Sequence, residues 1–219
     1  MKSMELFNLE KTIAKDLLLK KEYPWQILGD IKDFIKEKGA TLCEDKFFKL
    51  KEDIWIAKTA KVADTASLNG PLIIDEEAEI RHSAFIRGSV IIGKGAVVGN
   101  STEVKNSIIF DNVQIPHYNY IGDSVLGYKA HFGAGALTSN VKSDKTLVSV
   151  VIGGTKQSTN LKKFGAMVGD EVEIGCHAVL CPGTIIGKNS TIYPLSMVRG
   201  SVSEDSIFKS QDNIIKKEK

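Results

Sequence analysis

The chain has 219 residues, of which 42% are hydrophobic and 26% charged, with a formal net charge of +2. That balance gives no electrostatic bias toward nucleic acid or a membrane surface, and the apolar runs are too short and too interrupted to cross a bilayer. The expectation is a soluble cytoplasmic protein without a signal peptide, whose three cysteines, Cys43, Cys176 and Cys181, have neither zinc spacing nor a disulfide framework.

Residues 1–50 read as a helical segment. Leu6, Leu9, Ile13 and Leu17 follow helical spacing, with Asn8 suited to cap the start and Glu10 to the first turn. Pro24 opens a second helix that runs through Ile27, Leu28, Ile31, Phe34 and Ile35 and stops at Gly39. Two helices of this size cannot bury a core of their own. They are expected to pack on the first coils of the repeat that begins at Ile56, capping its strand edges, with Trp25 and Trp55 at the junction.

From Ile56 an aliphatic residue recurs at every sixth position, through Val62, Leu68, Ile74, Ile80, Ile86, Ile92 and Val98 to Val104. Four residues after most of these sits a second inward residue, usually small, such as Ala60, Ala78 or Ala96. The pattern continues through Ile109, Ile115, Ile121, Leu126, Phe132 and Thr138, with two steps of five, and resumes at Val168 through Ile174, Leu180, Ile186, Ile192 and Val198. Six residues suffice for one short strand and a sharp corner, so the 21 rungs predict an all-β solenoid over residues 51–203. Three strands per coil make a triangular prism of about seven coils, stacked at about 4.8 Å and about 34 Å long. Gly93, Gly99, Gly122, Gly127, Gly133, Gly169, Gly175 and Gly187, with Asn69 and Asp75, directly follow rung residues and are expected to supply positive φ at the corners.

Residues 139–166 interrupt the repeat. Thr146–Ile152 followed by Gly153 and Gly154 reads as a strand and turn leaving the prism, with Lys156, Lys162 and Lys163 making the return basic. Residues 204–219, ending Lys216-Lys217-Glu218-Lys219, read as a solvated tail.

Polar residues collect on one part of the prism. Arg87 and Lys105 each follow a rung residue three rungs apart, which sets two cations on one face, one coil apart, where a phosphate dianion would offset their repulsion. Glu103, His117, Tyr120 and Asn140 border them. Asp123 reads as a corner residue.

The sustained repeat resembles the left-handed parallel β-helix superfamily of hexapeptide-repeat acyltransferases, and the hand is taken from that resemblance. The stretches Val98-Gly-Asn-Ser-Thr-Glu-Val-Lys105, His117-Tyr-Asn-Tyr-Ile-Gly-Asp123 and Phe132-Gly-Ala-Gly-Ala-Leu-Thr-Ser-Asn140 resemble the C-terminal acetyltransferase domain of bifunctional N-acetylglucosamine-1-phosphate uridylyltransferases. Phe164-Gly-Ala-Met-Val-Gly169, with Lys162 and Lys163, is more similar to the archaeal-type sugar-1-phosphate nucleotidylyltransferase/acetyltransferases.

That resemblance implies transfer of an acetyl group from acetyl-CoA to the 2-amino group of a hexosamine 1-phosphate by direct attack. It implies His117 as general base, Glu103 as its partner carboxylate, and Arg87, Lys105, Tyr120, His131, Asn140 and Lys145 as substrate-binding residues. Cys176, Ala178 and Pro194 would border the acetyl-CoA arm, with no metal in catalysis. It further implies a homotrimer whose inserted loop reaches a neighbouring subunit. His131 stands where the family usually has asparagine, and Val141 where bacterial members have tyrosine. Only about fifty residues precede the prism, so nucleotidyl transfer is not expected of it. Two other readings stay open. One is a zinc carbonic anhydrase of the same fold, for which His82 and His117 occupy equivalent positions two coils apart, and the other is a non-catalytic scaffold or regulatory trimer.

Overall fold

The computed structural model describes residues 1–152 and 154–218. Gly153, expected to be a turn residue, and Lys219, the end of the expected tail, lie outside the described residues.

Parallel strands stack on three faces of a solenoid. The first face carries Ile54–Ala57, Leu72–Ile74, Val90–Ile92, the second halves of Glu103–Ile109 and Tyr120–Leu126, then Ala166–Val168, Thr184–Ile186 and Ser201–Val202. The second runs from Lys61–Val62 through Glu79–Ile80, Val97–Asn100, Gln114–His117, His131–Phe132, Glu173–Ile174 and Thr191–Ile192 to Ser206–Ser210. The third runs from Ser67–Leu68 and Phe85–Ile86 through the first halves of the two long strands to Leu137–Thr138, Val179–Leu180 and Met197–Val198. The two five-residue steps, Val104 to Ile109 and Ile121 to Leu126, let a single strand turn a corner, and this merges the first and third faces into one 14-stranded sheet. The stack also continues beyond Val198. Val202 registers with Ile186 and Phe208 with Ile192, adding two rungs to the 21 read from the repeat.

The corner chemistry differs from expectation. Positive φ falls three residues after the rung residue, at Ser83, Ser101, Tyr118, Gly135, His177 and Leu195 along one corner, so side-chain-bearing residues occupy most of these positions. The glycines directly after rung residues serve close packing of successive coils. A Cβ on Gly99 would lie 1.5 Å from the Pro116 carbonyl oxygen, and one on Gly93 2.6 Å from the Phe110 carbonyl carbon.

The N-terminal segment forms a helical layer on the prism. It breaks into Ser3–Leu6, a 3-10 turn Leu9–Lys11 with the Asn8 side chain accepting from Glu10 N, Lys15–Leu19, a 3-10 turn Pro24–Ile27, and the helix Ile31–Gly39. These pieces lie along the first face. Its outward residues Trp55, Ile73, Ile91, Ile108, Val125, Met167 and Ile185 are all buried, and they recur at 17- or 18-residue intervals except across the insertion. Such a stripe cannot face water, and covering it is what fixes the helices there. Trp55 packs beneath Gly39, Trp25 lies 6.0 Å from Phe164, and Phe7 lies 5.1 Å from Phe110. Asp170 holds the far end, accepting from Asn8 N at 2.6 Å. No described helix is long and apolar enough to cross a membrane.

Antiparallel strands finish the two ends. Phe47–Lys51 pairs with Ile54–Ala57, and Asn213–Lys216 pairs with Ser206–Ser210 where a solvated tail was expected. Lysines on these terminal strands disfavour edge-to-edge association. The insertion forms an antiparallel hairpin, Ser149–Ile152 with Thr155–Ser158. The hairpin returns to its own chain. Val148 and Val150 are buried near Gly183, and Ser201 Oγ donates to Val151 O at 2.8 Å.

Candidate active site

Regular stacking turns sequence spacing into a column. At the corner between the second and third faces, His82, Asn100, His117, Ala134, Cys176 and Pro194 occupy equivalent positions in successive coils. Tyr118 N donates to Asn100 O, Gly135 N to His117 O, His177 N to Ala134 O and Leu195 N to Cys176 O, at 2.9 to 3.0 Å. His117 is exposed on this edge, and its Nδ1 lies 3.0 Å from Asn100 Oδ1. An amide oxygen only accepts, so this bond puts the proton on Nδ1 and leaves the Nε2 lone pair free. The turn beneath is pinned from inside. Asn119 Oδ1 accepts from His117 N at 3.0 Å, while Asn119 Nδ2 donates to Gly133 O and Ala136 O at 2.9 Å each. Asn119 sits four residues after Ile115, in a slot usually filled by a small residue, and an amide in that slot is the sequence signal of this pinned turn.

Beside this corner, the third face carries the polar cluster. Lys105 registers with Gly122, and Arg87 N donates to Val104 O, so the two cations do stack one coil apart. They are not an unpaired cation pair. Arg87 Nη1 lies 2.7 Å from Glu103 Oε1, and Lys105 Nζ 3.1 Å from Asp123 Oδ2. Glu103 pairs with Arg87, and the partner of the His117 imidazole is Asn100. A carboxylate on the third face is drawn to the nearest cation on that face, whereas His117 ends a second-face strand.

Asp123, expected to be an ordinary corner residue, is the hub of the cluster. Its Oδ1 accepts from Asn106 Nδ2 at 2.9 Å, and its Oδ2 accepts from both Lys105 and Asn140 Nδ2. Asn140 Nδ2 also donates to Tyr120 Oη at 3.1 Å. Burial, reinforced by the charges of Asp123 and Glu103, pushes the Tyr120 phenol up from its ordinary pKa, so it stays protonated at neutral pH. Gly122 leaves room for these groups, because a Cβ there would lie 2.5 Å from Tyr120 Oη and 3.0 Å from Asn140 Nδ2.

The remaining expected residues separate. His131 registers with Gln114, three residues before His117 and so about 10 Å along the strand, and its Nδ1 lies 2.7 Å from Glu173 Oε2. Lys145 is exposed on the insertion at φ 56°, five residues beyond Asn140. Cys176 and Pro194 are exposed on the His117 column, but Ala178 is fully buried. Ala178 fills the small inward slot of its rung, so its side chain cannot border a donor. His82 and His117 share the column two coils apart with Asn100 between them, and among the described residues no three His, Cys, Asp or Glu converge as a metal site.

A protein-family profile described as the GMPPB C-terminal domain matches residues 68–159. The bifunctional protein GlmU of Methanococcus vannielii is 39% identical over 111 residues, covering 50% of this chain and 27% of that protein. The bifunctional sugar-1-phosphate nucleotidylyltransferase/acetyltransferase of Sulfurisphaera tokodaii is 36% identical over 102 residues, covering 47% of this chain and 25% of its own length. The chain therefore spans about a quarter of these curated relatives. Among solved structures, the polySia-specific acetyltransferase NeuO overlaps 76% of this chain and 88% of its own, at 14% identity and a TM-score of 0.46.

Proposed function

We propose that this chain is a CoA-dependent N-acetyltransferase that moves the acetyl group of acetyl-CoA to the amino group of a hexosamine 1-phosphate. The observation that carries the reading is the exposed His117 imidazole, with Nδ1 engaged by Asn100 and Nε2 free, beside a cluster of Arg87, Lys105, Tyr120 and Asn140. The names of the partial-length relatives support the same chemistry.

The phosphate takes charge-assisted hydrogen bonds from Arg87 and Lys105, while Tyr120 and Asn140 fix the sugar. The amine then attacks the thioester carbonyl directly. His117 Nε2 accepts the proton lost by the amine, the tetrahedral intermediate collapses, and the sulfur of CoA leaves and takes a proton back from the imidazolium. No covalent enzyme intermediate forms. The Ala134 N–H, next to His117 in the corner column and without a hydrogen-bond acceptor among the described residues, is the donor for the oxyanion. The CoA arm continues along the exposed Cys176 and Pro194, against a second subunit of a homotrimer.

The test is release of CoA thiol from acetyl-CoA with glucosamine 1-phosphate or galactosamine 1-phosphate. His117→Ala is expected to lower kcat by about 10²- to 10⁴-fold, the usual contribution of a general base. Turnover undiminished in the variant would remove His117 from this role, and silence of the unaltered protein with both sugars would favour a non-catalytic trimer.

A further inference from the structure

We infer that Asp123 is the positioning residue of this site, the group that holds Lys105 and Asn140 as one rigid unit against the acceptor sugar phosphate; this rests on the acetyltransferase reading. The geometry begins in the turns. Both five-residue steps shift the left-handed residue from three to two places after the rung, and this makes it Asn106 in one coil (φ 44°) and Asp123 in the next (φ 50°). The short turns are stacked, so the Asn106 amide donates directly to Asp123 Oδ1 and turns the carboxylate toward the third face.

There the carboxylate is nearly closed off from water, with a side chain 6% exposed. Oδ2 takes the Lys105 ammonium from the coil below and the Asn140 amide from the start of the insertion. Asp123 O also accepts from Gly165 N at 2.8 Å, which ties down the end of that insertion. One residue therefore fixes two binding groups that are 35 residues apart in the chain. Both of its oxygens are occupied, so it acts through these groups and does not touch substrate. Lysine carries several rotatable bonds, and immobilising its ammonium beforehand removes an entropy cost from substrate binding.

Asp123→Asn is the discriminating variant, because asparagine tolerates the left-handed backbone and matches the shape. The expected result is a rise of tenfold or more in KM for the amino-sugar phosphate, with kcat and the KM for acetyl-CoA changed less than threefold. In a double-mutant cycle with Lys105→Met, the second change should add little to the first. Fully additive effects, or an unchanged sugar KM, would overturn the inference. A second readout does not need turnover. Amine-reactive labelling, mapped by mass spectrometry, should accelerate several-fold at Lys105 in Asp123→Asn and stay constant at the exposed Lys61. If the unaltered protein turns over neither sugar, the acetyltransferase reading fails, and the labelling alone decides: acceleration sustains Asp123 as the group that fixes Lys105, and an unchanged rate refutes it.

Discussion

Ile91→Ala tests whether the N-terminal layer covers the first face. Ile91 is fully buried although its side chain points out of the solenoid. The substitution deletes three carbons, worth about 2.4 kcal/mol at about 0.8 kcal/mol per buried methylene, and leaves a cavity beneath the helices. The summed cost is about 3 to 4 kcal/mol. For a chain of this size that corresponds to a fall in Tm of roughly 6 to 16 °C. Ile214→Ala makes the same chemical change on the C-terminal hairpin, where Ile214 is 42% exposed, and should cost under about 0.5 kcal/mol. Urea unfolding followed by circular dichroism measures both. Equal losses in the two variants would mean that the helices do not bury the first face.

Gly122→Ala is expected to raise the KM for the amino-sugar phosphate at least tenfold while shifting Tm by less than about 2 °C, because its Cβ meets the Tyr120 hydroxyl and the Asn140 amide before any backbone; steady-state kinetics with unchanged substrate affinity would contradict this. Burial raises the carboxyl pKa of Asp75, Asp111 and Asp170. A raised folded pKa means a stabilising contribution that is complete below the unfolded value of about 3.9 and is lost as pH rises through the folded value. Asp75→Asn keeps the geometry of the acceptor for Glu76 N and should leave stability at pH 7 equal or higher, with a flatter dependence between pH 4 and 7; a steeper dependence in denaturation curves would refute the assignment.

The six-residue period determined the solenoid, its strand positions and the alignment of Arg87 with Lys105 without reference to any distant contact. Each rung repeats the same steric requirement, so register is a local property and spacing alone converts into height along the prism. The same arithmetic sets His131 level with Gln114, three residues from His117, and places Ala178 in an inward slot. A second signal is the outward apolar residue at Ile73, Ile91, Ile108 and Val125, which marks the first face for burial.

What the tertiary structure decided is which partner each charge takes. Glu103 could reach Arg87 or His117 by sequence alone, and the answer depends on which side of a corner its strand presents it. Asp123 became a hub because two shortened turns stack, Asn140 returns at the start of an insertion, and Gly122 leaves the space between them. The coil comes from local sterics repeated many times, whereas the site comes from a few unrepeated contacts between residues 16 to 20 positions apart, whose side-chain directions no period encodes.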